Sequence, residues 1–560
     1  MKTKITEVSR GIADKLHEYN LINNLALVFI GVGDIKQAKI PDISETKTRE
    51  KAEYARTILQ EVEQVAASPL SHDDEILLDI VRFNCKSMIN EEKFYWNIFA
   101  AEPWFNMIPM IFSFLGKYPL TDTEYLDTYL RCLEGLAGLV VQHREKTQGQ
   151  AERGIRIPKP ILPYALQTYQ EYRIEPDKHP LVLTKKKLSG PNVDTGEIIS
   201  RSRAAIEALN SALGEMVAFL EGPYGDAVPE AVGYAQYPDG PAYYRAMVKQ
   251  HTSLDITPEE IFELGETDRA SIEARMAEIR RELGSDLSRE AFTDKVMADP
   301  ERIMEIPEEF GERLNACIDR IRPVMKEYFA EQPEADCCAE RIAPDLEPLM
   351  HNGLYTPPTP GKPKGHYYYN GLNMERKNPM KTASLAYHEL LPGHHFQIAL
   401  TQEREELPPL AKTSMVTAYI EGWAEYAAIL AGEMGMYEDL YDEYGRLEMD
   451  LYLANFLTVD TGLNAKGWSL DEMVDFMRPY LPDFTEERLL SQLLRIHFSM
   501  PGFTIAYKLG SLKFREFREK ARTALGDRFD IKEFHRIVLE WGALPMTILN
   551  KHVDGWLARQ

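Results

Sequence analysis

Long stretches of this chain repeat apolar residues at intervals of three and four, which is the spacing of one face of an α-helix. The clearest of these stretches are residues 48–67, 196–220 and 258–283. The last one follows Thr257, and Glu260 stands three positions after that threonine, which is a typical capping pattern at a helix start. Residues 469–473 repeat the pattern. We therefore predict that most of the chain is helical.

Strand signals are few. The best candidate is the aromatic segment 366–370, which follows a loop rich in proline and glycine at 356–365. No internal repeat and no linker divides the chain, so we expect one large helical unit, or two lobes that meet near residue 240. In the second case residues 1–240 form an N-terminal helical lobe, and residues 241–560 form a catalytic helical lobe with a metal site.

The balance of charges limits the classes of partner. The 560 residues include 88 acidic and 64 basic side chains, which gives a formal net charge of −24 at pH 7. Such a chain repels polyanions at long range. This balance argues against nucleic acid or an anionic membrane as the main partner.

Three features predict a cytoplasmic protein. Residues 1–20 mix charges and lack the apolar core of a signal peptide. The longest early apolar stretch, residues 25–33, is too short to span a bilayer. The five cysteines are odd in number and mostly scattered, unlike a disulfide framework, so we expect reduced thiols.

Residues 387–397, with the sequence YHELLPGHHFQ, look like an altered zinc-protease helix. In the usual pattern, His-Glu-x-x-His, two histidines one helical turn apart bind the metal, and a catalytic glutamate follows the first. Here His388 and Glu389 are present, but Pro392 occupies the position of the second histidine. The segment is therefore a lost metal site, a differently built one, or an ordinary helix end.

Helix geometry leaves two histidines open as the second ligand. In a straight helix His394 lies about 120° around the axis from His388, while His395 returns to the same face about 10 Å along the axis. Pro392 lacks an N–H group and its ring crowds the carbonyl of His388, so we expect the helix to kink or break. Gly393 then permits a sharp turn that brings His394 back toward His388.

A third ligand is available in residues 419–430, an apolar helix-like stretch with Glu421 and Glu425 on one face. Catalytic zinc commonly takes two histidines and a carboxylate, and it keeps one position for water. A carboxylate among apolar residues needs a compensating charge or donor, which a metal would supply. Both glutamates are thus candidates for the metal site.

Five sequence blocks occur in a fixed order along the chain. They are HTSLDITPEEIFELG (251–265), HELLPGHHFQ (388–397), EGWAEYAA (421–428), VDTGLNAKGW (459–468) and MPGFTIAYKLG (500–510). Together they resemble the bacterial family known as domain of unknown function 885, which is itself similar to the helical zinc carboxypeptidases and oligopeptidases of the gluzincin type. The resemblance implies a mainly α, two-lobed gluzincin-like metallopeptidase fold, with a small β element beside an active cleft between the lobes.

The same resemblance suggests a ligand set. In those peptidases a glycine often precedes the second histidine ligand, and Gly393 with His394 occupies that place after two inserted residues. The distance from His394 to Glu421 is 421 − 394 = 27 positions, close to the spacing that the resemblance implies for the glutamate ligand. It therefore implies one zinc ion per chain, bound by His388, His394 and Glu421, with Glu389 as general base.

Three further residues are expected around the ligands. His395 is the reserve ligand, and otherwise a hydrogen-bonding neighbour of the site. Glu425 fits the ligand position less well than its partner one turn earlier. Asp460 is placed to accept the second ring N–H of a ligand histidine, although a turn or helix-cap aspartate is an equal alternative.

Two more blocks would complete such a site. Tyr507 resembles the tyrosine that, in the related peptidases, hydrogen-bonds the oxyanion of the tetrahedral intermediate, although most tyrosines serve packing. Arg495 and His497 are candidates for binding a substrate carboxylate. The sequence departs from the family pattern at Asn464, where histidine is usual, and at Phe503, where glutamine is usual. The specificity of relatives should therefore not be transferred.

From these features we predict a zinc-dependent hydrolase, a metallopeptidase or carboxypeptidase that acts on short peptides. Two alternatives remain open. One is a non-peptidase metallohydrolase of amides or esters, which the same ligands would support. The other is a metal-binding or peptide-binding protein without turnover, in which the Pro-Gly insertion misplaces His394. A His-His-Glu set also accepts divalent ions other than zinc.

Overall fold

The computed structural model describes residues 6–23, 33–188, 194–347, 353–359, 361–481 and 484–560. The early apolar stretch at 25–33 lies outside these ranges except for Gly33. Within the described ranges, no helix has both the length and the apolar character needed to cross a membrane. All five cysteines are free, as predicted.

The described chain is mainly helical with a small sheet, which confirms the predicted mainly α class with a small β element. Its α-helices are α1 (Glu7–Asn23), α2 (Glu45–Ala66), α3 (His72–Lys93), α4 (Met107–Gly116), α5 (Thr123–Glu152), α6 (Leu162–Glu171), α7 (Thr195–Phe219), α8 (Gly240–Thr252), α9 (Pro258–Glu282), α10 (Arg289–Met297), α11 (Pro307–Tyr328), α12 (Thr382–Glu389), α13 (His394–Glu403), α14 (Pro409–Lys412), α15 (Thr417–Glu433), α16 (Leu440–Asn464), α17 (Leu470–Met477), α18 (Glu486–His497), α19 (Ile505–Leu525), α20 (Ile531–Leu539) and α21 (Met546–Leu557). Its strands are β1 (Cys337–Arg341), β2 (Gly353–Thr356) and β3 (Gly365–Tyr369).

The three periodic stretches form helices α2, α7 and α9, as predicted. At the start of α9 the Thr257 hydroxyl accepts the backbone N–H of Glu260, and the Glu260 carboxylate accepts the backbone N–H of Thr257. Ser469 and Glu472 form the same reciprocal pair at the start of α17. These predictions are confirmed because capping depends on groups within one helical turn.

The chain forms two compact units. The first comprises Thr6–Pro69 and Val81–Tyr243, and within it α5 packs against α7. The second comprises Leu70–Ile80 and Tyr244–Gln560 among the described residues. The sequence did not indicate that residues 70–80 group with the C-terminal part. The lobe boundary near residue 240 and a cleft between lobes stay predictions.

The core of the second unit includes a cluster where α9 packs against α16. Three apolar residues of α9 at helical spacing take part, together with residues of α10 and α16. The buried members are Ile272, Met276, Ile279, Phe292, Val296, Met380, Tyr444, Leu447, Leu451 and Ala454. This packing holds α16 in place, and that helix carries Asp460.

The sheet has the strand order β1-β3-β2, with β1 parallel and β2 antiparallel to β3. The predicted strand at 366–370 is confirmed as β3, in which Gly365, Tyr367 and Tyr369 are buried. Neither β1 nor β2 was predicted, because strands of five and four residues carry little pattern of their own. Pairing with β3 stabilises both strands, and that pairing is not visible locally.

Candidate metal centre

The helix that carries His388 breaks at the Pro-Gly pair, as predicted. Helix α12 ends at Glu389 and α13 begins at His394, so the two histidines lie on separate helices. Gly393 permits the close approach of the chain at this break, since a Cβ atom there would stand 1.8 Å from the carbonyl oxygen of His388. The rings of His388 and His394 therefore meet edge to face, with their centroids 4.7 Å apart.

The third candidate ligand comes from α15. Oε2 of Glu421 lies 3.7 Å from Nε2 of His388 and 3.4 Å from Nε2 of His394. The three side chains offer ligand atoms that all lie within 4.8 Å of one another. In the part of the chain that the structure describes, this is the one group of histidine, cysteine, aspartate or glutamate side chains arranged in this way.

The spacing of these atoms suits a zinc ion. A tetrahedral zinc ion with bonds of about 2.0–2.2 Å separates its ligand atoms by about 3.4 Å. The separations of 3.4 and 3.7 Å from the Glu421 carboxylate match this geometry. Two imidazoles and one carboxylate are also a common donor set of catalytic zinc, which leaves a fourth position for water or substrate. The residues present therefore fit the implied metal.

Glu425 binds the other ring nitrogen of His388. Its Oε1 lies 2.9 Å from Nδ1 of the histidine. An ionised carboxylate only accepts hydrogen bonds, so Nδ1 carries the proton and Nε2 offers its lone pair to a metal. Glu425 stands one helical turn after Glu421 on α15. One face of one helix thus supplies both the candidate ligand and the carboxylate that orients a second ligand.

Charge and burial act against each other at these residues. Burial lowers the pKa of His388, but the hydrogen bond and charge of Glu425 outweigh it and raise that pKa to about 9. Burial raises the pKa of Glu421, but the nearby rings of His394 and His388 outweigh it and lower that pKa. Without a cation, a proton is therefore held at the position where a cation would bind.

His395, the reserve ligand, has both ring nitrogens engaged elsewhere. Its Nε2 lies 2.9 Å from the carbonyl oxygen of Ala335, and its Nδ1 lies 3.0 Å from the hydroxyl of Tyr355 on β2. The carbonyl can only accept, so Nε2 donates and Nδ1 accepts from the tyrosine. The structure therefore shows His395 as a hydrogen-bonding neighbour of the site. Sequence reasoning missed Tyr355, because no local pattern connects it with position 395.

Glu389 ends α12 directly after His388 and is partly buried. Burial raises the pKa of its carboxyl group, and the charges of Glu421 and Glu425 add to this effect against the lowering by the two histidines. The carboxyl group therefore lies close enough to the candidate ligands to interact with all of them. As the residue directly after a candidate ligand, it stands at the position that the sequence motif gives to a proton acceptor.

Tyr507 approaches the site from α19 and interacts with the carboxylate of Glu421. Burial raises the pKa of Tyr507 well above its ordinary value, so the phenol keeps its proton. Two glycines let α15 and α19 come close enough for this contact. A Cβ atom on Gly422 would stand 2.5 Å from the backbone of Gly510, and one on Gly510 would stand 1.9 Å from the carbonyl oxygen of Ala418.

Asp460 does not contact a candidate ligand. Its Oδ1 accepts hydrogen bonds from the Tyr244 hydroxyl at 2.6 Å and from the Gly502 N–H at 3.0 Å. Its Oδ2 lies 3.0 Å from Nδ1 of His497. The predicted partner of Asp460 is thus corrected to His497, and Glu425 takes the expected place beside His388. The reason is that the packing places Asp460 of α16 beside His497 in the last turn of α18.

The remaining predicted residues differ in their access to solvent. His497 is 0% exposed, so it is not available to a substrate carboxylate, which corrects that expectation. Arg495 is partly exposed and interacts with Tyr507. Phe503 packs between His251 and Tyr507, with ring centroids 5.4 and 5.9 Å away. The side chain at 503 therefore contacts the tyrosine of the site.

Comparisons with known proteins agree on the family and the fold. A family model described as "Bacterial protein of unknown function (DUF885)" matches residues 26–553. The crystal structure of a protein of Colwellia psychrerythraea, described as a putative lipoprotein, is similar with a TM-score of 0.83 at 24% identity, over 99% of this chain and 98% of that chain. A protein of Shewanella oneidensis, described as a putative lipoprotein of unknown function, has a TM-score of 0.74 at 15% identity, over 97% and 98% of the two chains. No curated protein matches this sequence.

Proposed function

This chain belongs to the DUF885 family of bacterial proteins of unknown function, and we propose that it is a zinc-dependent hydrolase that cleaves short peptides. The observation that carries the proposal is the convergence of His388, His394 and Glu421 within 4.8 Å, with the carboxyl group of Glu389 beside them. A metal site with only a structural role uses four protein ligands, whereas three ligands beside a free carboxyl group are typical of hydrolytic centres.

The side chains around this centre have complementary roles in the proposal. Zinc bound by the three ligands would polarise the scissile carbonyl and lower the pKa of a water molecule. Glu389 takes a proton from the attacking water and delivers it to the leaving amine. Tyr507, which keeps its phenolic proton, donates a hydrogen bond to the oxygen that gains negative charge. Glu425 holds His388 in the tautomer that binds metal.

The choice of peptides as substrates rests on the resemblance of the sequence blocks to gluzincin-type peptidases. The same residues would serve a hydrolase of other amides or esters, and a site that binds zinc without turnover would leave a binding protein. A cytoplasmic location and the absence of nucleic-acid and membrane partners stay predictions from the sequence.

We expect the purified protein to retain about one zinc ion per chain after metal-free purification and reconstitution. Elemental analysis of the wild type and of the doubly substituted His388→Ala, Glu421→Ala protein provides the comparison. A library of short peptides, with amide and ester substrates beside it, then separates the outcomes by mass spectrometry. Equal zinc content in both proteins refutes the proposed site. Cleavage of esters or non-peptide amides alone identifies a non-peptidase metallohydrolase. Bound zinc without any cleavage identifies a binding protein without turnover.

Glu425 allows a more specific prediction. We expect Glu425→Ala to weaken zinc binding by about 10- to 100-fold, which is the usual effect of removing a partner that orients a metal-binding histidine. The reason is that Nδ1 of His388 loses its hydrogen-bond acceptor at 2.9 Å. Competition with a chelator of known zinc affinity measures the change. Asp460→Ala is the matched comparison, because Asp460 binds His497 instead of a candidate ligand, and we expect it to leave zinc affinity within about threefold of wild type.

A further inference from the structure

Arg495 is a partly buried cation that interacts with Tyr507, and it has no acidic partner among the residues that the structure describes. It lies in the last turn of α18. Its Nη2 donates to Oε1 of Gln492 at 3.1 Å, while its Nε is buried without a hydrogen-bond partner. No aspartate or glutamate in the described ranges of the chain forms an ion pair with its guanidinium group.

An unpaired guanidinium in such a position is unfavourable, because burial removes water without supplying an opposite charge. Burial lowers the pKa of Arg495, and the hydroxyls of Tyr452 and Tyr507 are the groups that act in the opposite direction. Two arginines of the same unit, Arg404 and Arg518, have side chains that are only 13% and 12% exposed, and they pair with Glu331 and Glu433. Arg280 and Arg313 are partly buried without an ion pair to a described residue, and they donate to a tyrosine hydroxyl and to backbone carbonyls. An anion from outside the chain would supply Arg495 with the charge that these acids supply to Arg404 and Arg518.

Two tyrosines lie around Arg495, and one of them also interacts with a candidate metal ligand. Tyr507 interacts electrostatically with the guanidinium on one side and with the candidate ligand Glu421 on the other. Tyr452, on α16, is partly exposed, and it interacts with Arg495 and with Gln492, the side chain that accepts from Arg495. Tyr507 therefore links the guanidinium group of Arg495 with the candidate ligand Glu421.

We propose that Arg495 binds a carboxylate group of the substrate and so positions the scissile bond at the metal centre. The planar fork of a guanidinium group matches the two oxygens of a carboxylate, and Tyr452 supplies a further donor. The inference rests on the proposed hydrolase function and restricts it to substrates with a carboxylate close to the cleaved bond. His497 takes no part, because it is fully buried and bound to Asp460.

A peptide C-terminus and an acidic side chain offer the same chemistry, so the test needs three probes. They are an N-acylated dipeptide with a free C-terminal carboxylate, the same dipeptide as a C-terminal amide, and an amide whose last residue is glutamate. We expect the zinc-loaded wild type to cleave a carboxylate-bearing probe with kcat/KM at least about tenfold above that of the neutral amide. The free acid and the glutamyl amide distinguish the two sources of the carboxylate.

Substitution of the arginine should remove this preference selectively. We expect Arg495→Gln to lower kcat/KM for the preferred acidic probe by at least about 30-fold, and for the neutral amide by less than about threefold. Arg495→Lys should restore part of the preference, since it restores charge without the fork. Arg488→Gln on the same helix is the matched control, because Arg488 is exposed over the ring of Phe484, and we expect it to leave both values unchanged.

A binding measurement separates this inference from the proposed hydrolysis. If the wild type cleaves no probe, titration calorimetry with the zinc-loaded wild type and Arg495→Gln proteins still compares the acidic and neutral dipeptides. Tighter binding of an acidic dipeptide that Arg495→Gln abolishes supports the subsite even when hydrolysis fails. Equal binding or equal cleavage of acidic and neutral probes overturns the proposed carboxylate subsite. A preference for acidic probes that persists in Arg495→Gln also overturns it, provided that this variant has normal zinc content and thermal stability.

Discussion

Glu389→Gln is expected to retain zinc and folding while it lowers peptide turnover by at least about 100-fold. General-base catalysis typically contributes about 100- to 10,000-fold in rate, and glutamine keeps the shape of the side chain without its ability to take a proton. The candidate ligands are His388, His394 and Glu421, so loss of the acid at 389 leaves all three in place. The expected loss therefore falls on kcat and kcat/KM together, with little change in metal content.

The measurement combines peptide cleavage, followed by mass spectrometry, with zinc analysis of the same preparations. Glu421→Gln is the informative comparison, because it replaces a candidate ligand and should lose zinc as well as activity. Activity of Glu389→Gln equal to that of wild type would exclude Glu389 as the base. Loss of zinc from Glu389→Gln would instead mean that this carboxylate is itself a ligand.

His394→Ala is expected to weaken zinc binding by more than about 100-fold, and His395→Ala by less than about tenfold, because a ligand matters more than its hydrogen-bonding neighbours. The structural reason is the direction of the two rings. Nε2 of His394 lies 3.4 Å from Glu421, whereas both nitrogens of His395 are occupied by Ala335 and Tyr355.

Chelator competition gives both zinc affinities, and thermal unfolding serves as the control for folding. His395 is 1% exposed, so its removal should lower stability even where zinc affinity is preserved. The opposite order of zinc affinities would assign the ligand to His395. It would also require α13 to rotate from the position that the structure shows.

Local sequence predicted that the chain is mostly helical, and it predicted the break between α12 and α13. Pro392 and Gly393 act on groups within four residues of themselves, so their effect on the backbone can be read without knowledge of the rest of the chain. The strands β1 and β2 could not be predicted in the same way. Their hydrogen bonds go to β3, whose residues lie up to 28 positions from their partners in β1, as for Cys338 and His366.

The candidate ligands could be predicted in part from the sequence. Their residue types and spacing singled out His388, His394 and Glu421 in the sequence, with help from a family resemblance, and the structure brings their ligand atoms together. The choice between His394 and His395 needed the direction of α13 after the break. Two positions that are adjacent in sequence point about 100° apart around a helix axis, and only the packing of that helix shows which one faces α15.

The sequence by itself determined the helical class, the helix caps, the broken metal motif and the pair of glutamates on α15, because each depends on contacts within about two helical turns. Only the tertiary structure decided which side chain each polar group meets. It joined Glu425 to His388, Asp460 to His497 and Tyr355 to His395. The physical reason is that these contacts join separate helices and strands. Their geometry is set by the packing of buried apolar faces, which fixes relative positions that no local pattern contains.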